Sequence, residues 1–187
     1  MADHGYLRYP TLHGDTIVFV SDDDLWRVPV SGGVARRLTA GLSEPATPCL
    51  SPDGQWIAFV GRDEQHPEVY LMSAEGGPAR RVTWLGPDVI VRGWTPEGHI
   101  LFVTTYAQPF FRNYRAYTVD PGGGAPQLLL LGQVNHLAFG PGATRSMRTP
   151  VSSAVTSSTV PGVSPARSRM EAGITTRPAL SMVERMV

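Results

Sequence analysis

One cysteine and no lysine occur in the whole sequence. A lone Cys49 can close no internal disulfide and build no cysteine-based metal site. Beside Leu50 in an apolar stretch it reads as a small buried hydrophobe, and no histidine close by in the chain would make it a catalytic thiol. That all 16 cationic residues are arginine reads as a GC-rich coding bias rather than as chemistry. Long hydrophobic runs are missing as well. No stretch of about 18 apolar residues could span a membrane, and Met1 to Pro10 carries Asp3, His4 and Arg8 where a signal peptide needs an apolar core. No membrane partner and a cytoplasmic location are therefore expected.

The motifs of catalysis are absent too. There is no Gly-x-Ser-x-Gly elbow and no His-Glu-x-x-His, and Gly122-Gly123-Gly124 lacks the lysine of a phosphate-binding loop. With no nucleophile beside a base, no catalytic residue, cofactor or metal is assigned, and the chain by itself is expected to hydrolyse no peptide. Charge of one sign is scarce where a nucleic-acid surface would need it. Residues 1–139 hold 14 acidic groups and 10 arginines, while 140–187 hold 2 and 6, so the positive excess lies in the segment least able to fold. Nucleic acid is not expected as a partner.

What the sequence does have is a repeat. Trp26 through Gly32-Gly33 to Arg36-Arg37-Leu38-Thr39 recurs 44 residues later as Tyr70 through Gly76-Gly77 to Arg80-Arg81-Val82-Thr83. A third, worn copy runs from Tyr117 through Gly123-Gly124 to Leu129. A second landmark keeps the rhythm: His13-Gly14-Asp15, Ser51-Pro52-Asp53-Gly54, Thr95-Pro96-Glu97-Gly98 and Gly140-Pro141-Gly142. Proline presets φ and glycine supplies positive φ, so each such tetrad turns an inner strand into a second one. The second strands, Thr16 to Val20, Trp56 to Val60 and Ile100 to Thr104, are β-branched and aromatic. The Gly-Gly pairs then make the hairpin from the third strand into the fourth.

Short strands, close turn signals and no helical period before the tail exclude a bundle and an α/β fold. A repeat of this length with four strands is one blade of a β-propeller. The fold class is thus all-β, a partial propeller over 6–142 with blades at about 7–39, 46–83 and 89–130. The first strand of a fourth is expected within 134–142, beginning at Val134-Asn135-His136-Leu137-Ala138-Phe139.

After Gly142 the pattern stops in mid-blade. From 143 to 187 there is no Phe, Trp or Tyr, and 8 Ser, 6 Thr and four prolines crowd the segment. Such a composition has little to bury, and the tail is expected to be disordered. It is a linker, a binding tail or the product of a reading-frame slip, and the abruptness of the change favours the last.

Other clusters have bland readings. Asp22-Asp23-Asp24 could attract a hard cation, but with no further ligand at a suitable spacing it reads as a solvated acidic loop. The five histidines share no ligand spacing. Arg36-Arg37 and Arg80-Arg81 recur at one blade position, which points to a structural role on an outer strand. Inner strands of a propeller line its axial channel, and the polar residues there, Arg92, Asn135 and His136, are the candidate substrate-binding groups.

The residues also resemble a known family. Tyr6 to Pro10, Leu12-His13-Gly14-Asp15 with Thr16 to Val20, Asp23-Asp24-Leu25-Trp26, Ala35 to Thr39, Gly93-Trp94-Thr95-Pro96 and Gln108-Pro109-Phe110 are similar to the start of tricorn-type proteases, over about 6–142. The resemblance implies a cytoplasmic serine protease that begins with a six-bladed propeller and carries its catalytic core in later domains, assembled as a hexamer. This chain would be a non-catalytic segment of the channel that filters peptides toward a distant active site. Its partners would be peptides in the intact parent, the remaining protease domains and the other subunits. Arg92, Asn135 and His136 would meet passing peptides through carbonyls or a carboxylate. The alternatives are a TolB-like protein-interaction propeller, for which the Ser-Pro-Asp-Gly turn speaks equally, and a truncated product without function.

Overall fold

The computed structural model describes residues 6–40, 44–63, 66–109 and 112–139. All the described residues belong to one compact unit. The tail expected to be disordered lies outside the described residues, as does the Gly140-Pro141-Gly142 turn.

Three antiparallel four-stranded sheets follow one another along the chain. The first contains β1 (Arg8–His13), β2 (Thr16–Ser21), β3 (Asp24–Pro29) and β4 (Arg36–Arg37). The second contains β5 (Ala46–Leu50), β6 (Trp56–Asp63), β7 (His66–Ser73) and β8 (Arg80–Arg81). The third contains β9 (Val89–Trp94), β10 (Ile100–Thr104), β11 (Arg115–Val119) and β12 (Gln127–Leu128). In each the strands pair in sequence order, as a meander. The turn tetrads have the geometry their residues require. Gly54, at φ 71°, donates its N–H to the Ser51 carbonyl at 2.9 Å, and the Asp53 carboxylate accepts from Ser51 Oγ at 2.5 Å and Gln55 N at 3.1 Å.

Period-two alternation decides how the sheets stack. In β6 and β7 of the middle sheet, Ile57, Phe59, Tyr70 and Met72 face Val18, Val20 and Leu25 of the first sheet. Their neighbours Ala58, Val60, Val69 and Leu71 face Val89, Val91, Ile100, Phe102 and Tyr117 of the third. The middle sheet is therefore buried on both faces, and its strands read as continuous apolar runs for that reason. Each large side chain removed from water in these two cores contributes about 2 kcal/mol. The inner strands β1, β5 and β9 lie side by side, the arrangement of successive propeller blades.

Polar side chains tie each sheet internally and to the next. Arg36 donates to the Glu75 carbonyl in the turn of the second sheet, where Arg27 also pairs with the Glu75 carboxylate and donates to the Ala74 carbonyl at 3.0 Å. Arg80 repeats the reach, to the Pro121 carbonyl in the third sheet. Arg37 and Arg81 turn instead to carboxylates of their own sheets, Asp24 and Glu68. Asp24 corrects one expectation: it is buried, accepting from Thr39 Oγ1 at 2.8 Å, whereas Asp22 and Asp23 are exposed in the turn. The acidic triplet is thus two solvated acids and one inward-facing structural acid, because the start of β3 points its first side chain toward β4.

Val134–Phe139, where a fourth blade is expected to begin, carry no strand. Val134 N donates to the Tyr114 carbonyl at 3.0 Å.

Candidate functional site

At the end where the chain comes into each inner strand, a groove of about 590 Å³ is bordered by Arg8 of β1, Ala46 and Thr47 of β5, and Arg92 of β9. Its rim is charged. Arg8 pairs with Asp23 at 3.0 Å and Arg62 with Glu44 at 3.4 Å, and the Tyr114 hydroxyl meets the Asp88 carboxylate at 3.5 Å. Burial, followed by the Asp88 charge, pushes the Tyr114 phenol above its ordinary range.

Arg92 differs from these arginines. Among the described residues, its buried Nε has no hydrogen-bond acceptor and no carboxylate pairs with it. Thr47 Oγ1, also on the groove, lacks a partner in the same way. Desolvation lowers the affinity of the Arg92 guanidinium for its proton, the ordinary consequence of a cation partly withdrawn from water. Buried polar groups in native proteins are nearly always satisfied, so an arginine and a hydroxyl left unmatched on one groove are the chemistry this site offers. Donors of this kind bind carbonyl or carboxylate oxygens.

Of the three residues proposed from sequence, only Arg92 lines the groove. Asn135 and His136 are exposed on the strandless segment and do not border it. The inner-strand register that would align them beside β9 is not formed. Sequence reasoning missed Thr47, Asp88 and Tyr114; Asp88 sits one residue before an inner strand, and that position was the available signal.

Cys49, half-buried on β5, has its thiol pushed up to about 11 by burial, against a smaller opposing effect of the Arg92 charge. Only the thiolate alkylates. Iodoacetamide is therefore expected to modify the folded chain slowly at pH 8, with a rate still climbing toward pH 11 and accelerating sharply in urea. Rapid alkylation of the folded chain at pH 8 would show that the thiol is not buried as described.

Residues 4–159 match the family model for the tricorn protease N-terminal beta propeller domain. The chain belongs to that family. Tricorn protease homolog 1 of Streptomyces coelicolor is 39% identical over 137 residues, which is 73% of this chain and 13% of that relative. The crystal structure of the tricorn protease superposes with a TM-score of 0.67 at 28% identity, covering 74% of this chain and 14% of that one. TolB from Acinetobacter baumannii shares the fold, with a TM-score of 0.56 at 23% identity over 67% of this chain and 32% of its own. The chain thus spans about an eighth of the tricorn relative, and the family match runs past Gly142, where the resemblance read from the residues stops.

Proposed function

We propose that this chain is a non-catalytic portion of a tricorn-type propeller and that its groove is a stretch of channel wall along which peptides pass toward an active site carried elsewhere in a larger protease. The observation that supports this reading is Arg92, the groove arginine with no carboxylate partner among the described residues, beside rim arginines that have one. In the channel it would hold a peptide's carbonyl or terminal carboxylate, and the paired rim charges would keep the passage polar and non-adhesive. Peptide substrates, a serine-type peptidase activity of the parent, a multi-subunit assembly and a cytoplasmic location all belong to this proposal.

The test is a titration of the full chain with a short peptide carrying a free terminal carboxylate and with its amide. The carboxylate form is expected to bind about tenfold more tightly, the usual worth of a charge-assisted hydrogen bond, and Arg92→Gln should abolish the difference. Equal binding of both peptides by the parent chain overturns the role of Arg92. Capture of a folded partner with no affinity for peptides would favour the TolB-like interaction module instead.

A further inference from the structure

At the opposite ends of β5 and β9 lies a second cleft, of about 340 Å³, between the Ser51 to Gly54 turn and the Thr95 to Gly98 turn. Its walls are Trp56 and Trp94 with Pro52, Pro96 and Pro121, and Asp53 and Glu97 stand on its rim. The two indoles have different tasks. Trp94 is buried, and its Nε1 donates to the Cys49 carbonyl at 3.0 Å, so it is part of the core. Trp56 belongs to β6 but is 41% exposed, which is unusual for a tryptophan in the central sheet of a stack.

The prolines are rigid and cannot fold over the cleft. The Asp53 carboxylate is fixed by Ser51 Oγ and Gln55 N, and those bonds hold it below the usual carboxylate range. Asp120, next to Pro121, adds a third acid and meets His99 Nδ1 at 3.7 Å. The cation beside the cleft, Arg80, is engaged on the Pro121 carbonyl, and the His13 ring packs against Gly54.

We infer that this cleft is a docking site for an arginine side chain of a peptide or protein partner, its guanidinium lying on the Trp56 indole and facing the Asp53 and Glu97 carboxylates. Charge complementarity selects a cation, since acids border the cleft and Arg80, the arginine at Pro121, is already bonded to its carbonyl. The flat indole between prolines selects a planar cation over an ammonium, because guanidinium is weakly hydrated and stacks on aromatic faces. This surface is separate from the peptide groove and does not depend on it.

The experiment follows the Trp56 indole N–H resonance of the full chain, assigned by its disappearance in Trp56→Phe, during titration with acetyl-Gly-Arg-Gly-amide. A saturable shift is expected, with acetyl-Gly-Lys-Gly-amide weaker and acetyl-Gly-Gln-Gly-amide inert. The Asp53→Asn, Glu97→Gln double variant, whose exposed substitutions leave both cores intact, should weaken the arginine peptide about tenfold. Arg92→Gln should leave the shift unchanged. An equal response to the glutamine peptide, no saturation, or an undiminished affinity in the double variant would each overturn the assignment.

Discussion

Replacing Glu68 with alanine is expected to cost about 3–5 kcal/mol of folding stability, read as a fall in the urea midpoint at an unchanged slope. This carboxylate is fully buried, yet it accepts from Thr83 Oγ1 at 2.6 Å, Leu85 N at 2.5 Å, Gly86 N at 2.8 Å and Arg81 Nη2 at 3.2 Å. Those donors tie β7 to the segment that leads from the second blade into the third. Removing the carboxylate orphans two backbone N–H groups and a hydroxyl, each with its own desolvation penalty, and leaves Arg81 without this counter-charge. The corresponding acid of the first blade, Asp24, binds Thr39 Oγ1 and Arg37 through its side chain among the described residues, so Asp24→Ala is expected to destabilise the fold as well. A Glu68→Ala chain that unfolds within about 0.5 kcal/mol of the parent would mean the network contributes nothing, as for an ordinary surface change.

Phe59→Ala and Phe102→Ala are each expected to remove about 3–5 kcal/mol, the usual loss for a large aromatic deleted from a packed core. Both rings are at 0% exposure, stacked on Tyr70 and Tyr117 respectively at 5.9 Å between centroids. Against a total of about 5–15 kcal/mol for a domain, either loss is a large fraction. The two changes should be separable by amide exchange. Phe59 belongs to the core between the first and second blades, and Phe102 to that between the second and third. Phe59→Ala should therefore accelerate exchange mostly in β1–β4 and Phe102→Ala mostly in β9–β12, in line with the near-neighbour energetics of repeat arrays. Identical, uniform acceleration in both variants would show instead that the three blades unfold as one cooperative unit.

Most of the architecture was legible because its determinants are local. The Pro-Asp-Gly and Pro-Glu-Gly turns and the Gly-Gly hairpins fix where strands end, and apolar runs such as Ile57 to Val60 suit strands buried on both faces. Less was legible at the site. Arg92 could be found because an inner strand announces its own position, and the groove depends on that strand alone for it. Asn135 and His136 lie on a segment without a strand, so the inner-strand placement expected for them does not arise. The inward turn of Asp24 was hidden by its neighbours: three consecutive aspartates look alike in a sequence, and only the pairing of Ser21 with Asp24 makes the last of them the first residue of β3. Its counterpart Glu68, two residues before Tyr70 as Asp24 is two before Trp26, was the signal that could have separated it from the pair.

The arginine reaches between blades have a direction. Arg36 finds its acceptor 39 residues downstream and Arg80 finds its own 41 residues downstream. During synthesis at about 5–20 residues per second, each of the first two blades therefore waits roughly 2–8 seconds for the turn that fastens its outer strand. At the corresponding place the third blade has Gln127, with no guanidinium to extend the series. A chain emerging from the ribosome is thus secured from its amino-terminal side forward, and its newest blade is always its loosest.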